Sequence, residues 1–344
     1  MGHLIPFLEL ANCLIAHHNF HATVVVISSN TSPKQSQVIQ SAMTPKLFDI
    51  IEIPPLDTFG QVNAAGSVFT QLPAIMLDAR SSLRSAISAM DFKPAAMIVD
   101  LFCTAVLPVV DEFHMLKYVR VSYKEVEGEY LDKKEPLKIP GCKPVRPEDV
   151  KPMMNRKDPK YESFIRIGVE IAEMSDGILV NTWEDLESMS LRPMKEDPKW
   201  KQILKVPVHT FGPMIRQAGS STPRSEVLGW LDMQPNASVI YISFGSGGVL
   251  LADQITEMAW GIELSAQRFI WVVHPPSKDG DKGNDISDYL PEGFMARTRD
   301  KGLVVTTWAP QVEILAHSSV GWFLSHCGWN SSLESILNGV PMIT

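Results

Sequence analysis

At 344 residues the chain has room for two domains of ordinary size, and its 45% hydrophobic content can fill a sizeable core in each. A net charge of −8 argues against nucleic acid as a partner, because a phosphate backbone calls for basic surface. Cys13, Cys103, Cys142 and Cys327 stand far apart with no CxxC, which speaks against a disulfide framework or zinc site and fits a reducing, cytoplasmic setting.

The opening MGHLIPFLELANCLIAHH is superficially like a signal peptide, but it has no basic start and Glu9 interrupts the apolar run. Leu4, Phe7, Leu8, Leu10, Ala11, Leu14 and Ile15 fall at helical spacing and predict an amphipathic helix. His17 and His18 would meet the negative end of its dipole. No run of about 18 apolar residues occurs elsewhere, so no membrane span is expected. Ala22 to Ser28 reads as a β-branched strand that Asn30 to Pro33 breaks. Loops around Pro54, Pro55 and Pro73 should precede a helix near Ile75 to Met90. Ala95 to Phe102 reads as a strand buried on both faces that delivers Asp100 to its C-terminal end, where open α/β sheets bind ligands. A helix from Ala105 to Phe113 and a strand near Tyr118 to Val121 come next. Lys133 to Pro152 reads as a proline-rich surface loop, Tyr161 to Met174 as a helix and Gly177 to Thr182 as a buried strand.

Pro213 to Ser225, rich in Gly, Ser and Pro, is the best linker in the chain. It separates a domain at 1–213 from one at 226–344, with 214–225 between them. The second domain should hold a short helix at Val227 to Leu231, a strand at Ser238 to Phe244, a helix at Ala252 to Leu264, and strands at Phe269 to Val273 and Leu303 to Thr307. Alternating strands and helices in both halves predict an α/β protein with two helix-covered parallel sheets and a cleft between the domains.

Trp308 to Thr344 carries the densest chemistry: a loop, a short helix, a strand at Val320 to Leu324, a polar turn, and a helix opening near Asn330. Asn330, Ser331 and Ser332 fall where a helix start needs caps, and the dipole's positive end there suits an anion. Glu334 could accept hydroxyl protons such as those of a ribose, and Trp308 offers a face for a base. Gly245-Ser246-Gly247-Gly248 after SVIYISF is a phosphate-loop candidate, although Leu250 stands where a dinucleotide fingerprint needs its last Gly. Asp279-Gly280-Asp281 has the D-x-D pattern of some metal sites, but it lies in a Lys- and Gly-rich loop and reads as solvated surface, so no metal is expected.

The same stretch, WAPQVEILAHSSVGWFLSHCGWNSSLESILNGVPMIT, closely resembles the signature box of plant family 1 UDP-sugar glycosyltransferases. IPGCKPVRPEDV, DGILVNTWEDLE, GWLDMQP and YLPEGF are similar to that family's other landmarks. The resemblance implies two Rossmann-like domains of the GT-B type, the first for the acceptor and the second, incomplete here, for UDP-glucose. It implies uracil stacked on Trp308 and bonded by the backbone of Ala309, ribose held by Gln311 and Glu334, and sugar touched by Trp329. His326, Asn330 and Ser331, in one turn with Gly328, would take the phosphates, together with Ser246 and Gly247 of SFGSGG. The family's catalytic His and Asp motifs fall on His3 in MGHLIPFLEL and Asp100 in IVDLFC. A histidine suits deprotonation of a hydroxyl near neutral pH, and a carboxylate behind it fixes its tautomer. The implied activity is inverting, metal-independent glucosylation of a small phenol, with no cofactor, by a cytoplasmic monomer of plant secondary, phenylpropanoid-type metabolism.

The chain departs from that family at Trp322, where Gly is usual in a buried strand, and at His274, where Arg is usual. Relative to the family pattern, segments before His3, after Val121 and after Thr344 are missing. The sequence therefore also admits a catalytically impaired remnant that at most binds UDP.

Overall fold

The computed structural model describes residues 3–27, 49–53, 68–120, 135–150, 154, 157–216, 218–219, 225–245, 250–276 and 285–344. By density of contacts the chain divides into Pro6–Met214 and a second unit that combines Met1–Ile5 with Ile215–Thr344.

In the first unit α1 (Leu4–His18) buries Pro6, Leu8, Leu10 and Ala11, as its spacing predicts, and carries His17 and His18 in its last turn. Strands β1 (Thr23–Ile27) and β2 (Asp49–Ile53) pair in parallel. Helix α2 (Val68–Asp78) begins earlier than expected and runs through Pro73, followed at once by α3 (Arg80–Ser88). An interior proline costs about 3 kcal/mol. Burying Ile75 and Met76 returns about 1.5–3 kcal/mol each, so the apolar face prevails over the breaker.

Strand β3 (Ala96–Asp100) passes directly into a 3-10 turn (Leu101–Val106) and α4 (Leu107–Glu112), one turn earlier than the expected helix. Then come β4 (Leu116–Arg120), α5 (Tyr161–Met174) and β5 (Gly177–Val180). Helices α6 (Glu184–Glu196) and α7 (Pro198–Ile203) and strand β6 (Val208–Thr210) were not legible in the sequence. Glu187 is non-helical inside α6 and Pro193 interrupts its pattern. The start of α7 carries a readable signal: Asp197 accepts the Lys199 N–H at 2.8 Å, with Pro198 at the first helical position.

The expected single sheet of this half is two among the described residues: the β1–β2 pair and a parallel sheet in the order β3-β4-β5-β6. They share an apolar core, in which Val25, Ile27 and Ile53 pack with Val99, Leu107 and Val119. Side-chain burial rather than a ladder of backbone bonds joins them. Leu137 and Val145 form an antiparallel bridge inside the proline-rich segment that the sequence presents as surface loop, and Leu137 is buried.

The second unit contains α8 (Glu226–Leu231), capped by the Ser225 hydroxyl, then β7 (Val239–Ser243), α9 (Ala252–Ser265) and β8 (Arg268–Val272). Helix α10 (Phe294–Thr298) precedes β9 (Gly302–Val305), α11 (Gln311–Leu315), β10 (Val320–Ser325), α12 (Trp329–Leu337) and β11 (Met342–Ile343). Its sheet is wholly parallel, in the order β11-β10-β7-β8-β9. Alternation along β7 divides the core. Val239 and Tyr241 pack with Ile270, Ile314 and Phe323, whereas Ile242 packs with Ile255, Trp271 and Phe294 on the other side.

Trp322 corrects the sequence expectation of bulk inside a buried strand, since it is 48% exposed. The β10 register shifts between Val320 and Trp322, and Gly321 fills the irregularity with its Cα against Ala237. That shift turns Trp322 outward while Phe323 stays in the core. Among the described residues no helix is long and apolar enough to cross a membrane.

Candidate functional site

Strand order locates the site before any motif does. From β7 the chain adds β8 and β9 on one side, then β10 and β11 on the other, so β7 and β10 flank the switch point where open α/β sheets bind ligands. Their last residues, Ser243 and Ser325, are register partners. From β7 the chain emerges as Phe244-Gly245, and from β10 as His326-Cys327-Gly328 into α12.

The imidazole of His326 sits between two glycines. A Cβ on Gly245 would stand 2.7 Å from its Cε1, and one on Gly328 would stand 2.5 Å from its Nε2. Gly245 also has φ +78°, a conformation that side chains rarely adopt. The turn is tied by hydrogen bonds: Cys327 N–H donates to Ser325 Oγ at 3.3 Å, and Ser332 Oγ–H donates to the Cys327 carbonyl at 3.3 Å.

Asn330, Ser331 and Ser332 do not cap α12, contrary to the sequence expectation. The cap position is Gly328, whose lack of a side chain leaves no capping hydrogen bond, and the three residues lie within the helix. The strand-to-helix turn is too short to place them outside it. The positive end of the α12 dipole therefore lies at Gly328, next to His326.

Ser331 and Glu334 instead join a buried polar cluster with α11. Gln311 Nε2 donates to Glu334 Oε2 at 2.6 Å and to Ser331 Oγ at 3.1 Å, and the Tyr241 hydroxyl donates to Gln311 Oε1 at 3.4 Å. Burial raises the Glu334 carboxyl above the usual range and nearby Glu313 adds to this, while the Gln311 hydrogen bond and the Arg216 charge oppose it. Arg216 grips Glu313 through two bonds, Nη1 to Oε1 at 2.7 Å and Nη2 to Oε2 at 2.6 Å. Trp308 is 57% exposed, Ala309 behind it is buried, and Trp329 and Asn330 are half-buried. The arrangement offers a flat aromatic face, carboxylate and amide acceptors, and a helix N-terminus within one unit.

Elsewhere, Asp100 ends β3 and its Oδ1 accepts the Phe102 N–H at 3.1 Å, capping the 3-10 turn. Burial, reinforced by the Asp100 charge, pushes the Cys103 thiol up to about 12. His3 precedes α1 and is exposed. It groups with the second unit and Asp100 with the first. His274 Nδ1 lies 2.9 Å from the Thr306 carbonyl. Ser246, Gly247 and Asp279-Gly280-Asp281 lie outside the described residues. Among those described, no three His, Cys, Asp or Glu side chains gather to hold a metal.

Tyr241, Arg216 and Glu313 are the site's neighbours that the sequence reading passed over, whereas Gly245 belongs to the phosphate-loop candidate that it named. Tyr241 had a signal, because it lies two residues before Ser243 on the same face of β7. Arg216 had none, since it sits in what reads as linker.

Comparison with known proteins identifies the family and the fold. The family model described as UDP-glucoronosyl and UDP-glucosyl transferase matches residues 204–344. An anthocyanidin 3-O-glucosyltransferase of Manihot esculenta is 46% identical, with all of this chain aligned to 75% of its length. A hydroquinone glucosyltransferase of Rauvolfia serpentina is 38% identical, with all of this chain aligned to 77% of its length. The crystal structure of TcCGT1 in complex with UDP superposes with a TM-score of 0.90 at 40% identity, covering 100% of this chain and 78% of that one. The parallel α/β architecture is that of the GT-B glycosyltransferases. With UDP bound in such a neighbour and relatives this similar along the whole chain, the protein belongs to plant family 1 of the UDP-glycosyltransferases.

Proposed function

We propose that this protein transfers glucose from UDP-glucose to a hydroxyl of a small phenol, with inversion at the anomeric carbon and without a metal or other cofactor. The observation that carries the reading is the Gln311–Glu334–Ser331 cluster beside the start of α12, at the sheet's switch point. Uracil stacks on Trp308 against the Ala309 backbone, the ribose hydroxyls are held by Gln311 and Glu334, and the diphosphate lies at His326, Gly328, Asn330 and Ser331 with Ser246 and Gly247. Trp329 faces the sugar. Relatives that glucosylate anthocyanidin and hydroquinone favour a phenolic acceptor.

The roles that the family motifs carry to the first half are His3 as base and Asp100 as the carboxylate that orients its ring. The acceptor O–H gives its proton to the imidazole, the phenolic oxygen attacks the anomeric carbon, and the bond from that carbon to the diphosphate breaks on the opposite face. Charge developing on the departing UDP meets the positive end of α12 and the His326 turn, which are in place beforehand. Titration calorimetry with UDP tests the donor half. Glu334→Ala should weaken binding by about 1–3 kcal/mol through lost hydrogen bonds. Unchanged affinity would remove Glu334 from the site. His3→Ala should lower turnover about 10²–10⁴-fold with UDP affinity intact, as loss of a general base does.

A further inference from the structure

We propose that Arg216 is a positioning residue for the nucleotide-sugar site: by gripping Glu313 it fixes α11 and keeps Glu334 an ionised acceptor for the donor. The inference rests on the reading of Glu334 given under Proposed function. Arg216 and Glu313 are 97 residues apart in sequence, and their side chains are 36% and 7% exposed. A carboxylate as buried as Glu313 is strongly unfavourable without a partner, and the two-pronged contact satisfies both of its oxygens. Glu313 lies two residues beyond Gln311 on the short α11, so holding one places the other, and Gln311 in turn bonds Glu334.

Charge adds to geometry. The titratable or charged groups around Glu334 are Glu313 on α11, Tyr241 on β7 and Arg216, while Gln311 and Ser331 are neutral. The Tyr241 phenol is pushed up by burial and stays protonated. Two carboxylates therefore share one guanidinium, and removing it leaves like charges that favour a proton on one of them. A protonated Glu334 would carry an O–H and lose acceptor capacity towards two ribose hydroxyls.

The test uses the full chain with 13C-carboxyl-labelled glutamate, with the Glu334 signal assigned by Glu334→Gln. Titration without ligand should place its midpoint about one pH unit or more higher in Arg216→Met, lower in Glu313→Gln, and between parent and Arg216→Met in Arg216→Lys, which keeps the charge but not the fork. Calorimetry with UDP should follow the midpoint. Between the parent and variant midpoints, affinity in the variant should fall about tenfold for each pH unit below its own midpoint, and below both midpoints the loss should level off at about tenfold for each unit by which the midpoint has risen. An unchanged or lowered midpoint in Arg216→Met overturns the proposal. If that variant does not fold, Glu313→Gln decides: a lowered midpoint supports the proposal, and an unchanged or raised one overturns it. If UDP binds no variant, including the parent, the donor-site reading fails, while the titration still judges Arg216.

Discussion

At the scale of single residues the site is held by close approaches that leave no room for a methyl group. Gly328 has an ordinary φ of −56°, so a Cβ there acts only through its 2.5 Å collision with His326. Gly328→Ala should therefore push the imidazole out of its slot and weaken UDP binding, whereas Gly328→Ala combined with His326→Ala should cost no more than His326→Ala alone. Calorimetry on the three variants checks this, and additive losses would count against the packing argument. Glu334 has a stability consequence of its own. Its folded-state proton affinity is raised by burial, so the folded chain keeps that proton to higher pH than the unfolded chain does. Stability is thus lost as pH rises from the unfolded value near 4.3 up to the folded value, and stays lost above it. Glu334→Gln should match the parent in thermal unfolding well below pH 4 and exceed it at pH 7, while binding UDP less well. An equal or lower melting temperature at pH 7 would contradict the burial argument.

At the scale of elements, β10 shows how a strand can carry a tryptophan where core alternation forbids one. Gly321 absorbs the register shift with its Cα against the Ala237 carbonyl, and Trp322 then faces solvent. Gly321→Ala would drive a Cβ to 2.5 Å from that backbone oxygen, which cannot swing aside as a flexible side chain could. A loss of about 1–3 kcal/mol is expected in denaturant unfolding. Trp322→Thr should stay within about 0.5 kcal/mol of the parent, as exposed positions do. A large loss at Trp322 with none at Gly321 would reverse the assignment of inside and outside. For α12 the sequence correctly announces a helix and mistakes its first residue. Small polar residues at 330–332 look like caps, but they are interior because the turn from β10 needs only three residues.

At the scale of the whole molecule, the described residues of the proposed donor site fall within one unit, since β7, β10, α11 and α12 all belong to Ile215–Thr344. On the proposed mechanism a helix dipole and hydrogen bonds carry the diphosphate charge, so a chelator should leave UDP binding and glucosyl transfer unchanged. Loss of transfer in chelator with recovery on adding manganese or magnesium would direct attention to Asp279 and Asp281. Much of this protein could be read from sequence alone. Period-two and period-3.6 patterns placed α5, β7, α9, β8 and α12 within a residue or two, because such signals depend on neighbours a few positions away. The identities from Trp308 to Glu334 pointed to the proposed donor chemistry by another route, their resemblance to a family's signature box. Tertiary structure alone decided the rest. Among the described residues it split the first half into two sheets, carried α2 through Pro73, turned Trp322 outward and set His326 between Gly245 and Gly328. It also joined Arg216 to Glu313 across 97 residues. Each of these outcomes depends on what a residue meets from a distant part of the chain, and burial, register and ion pairing there outweigh the local preferences that a sequence displays.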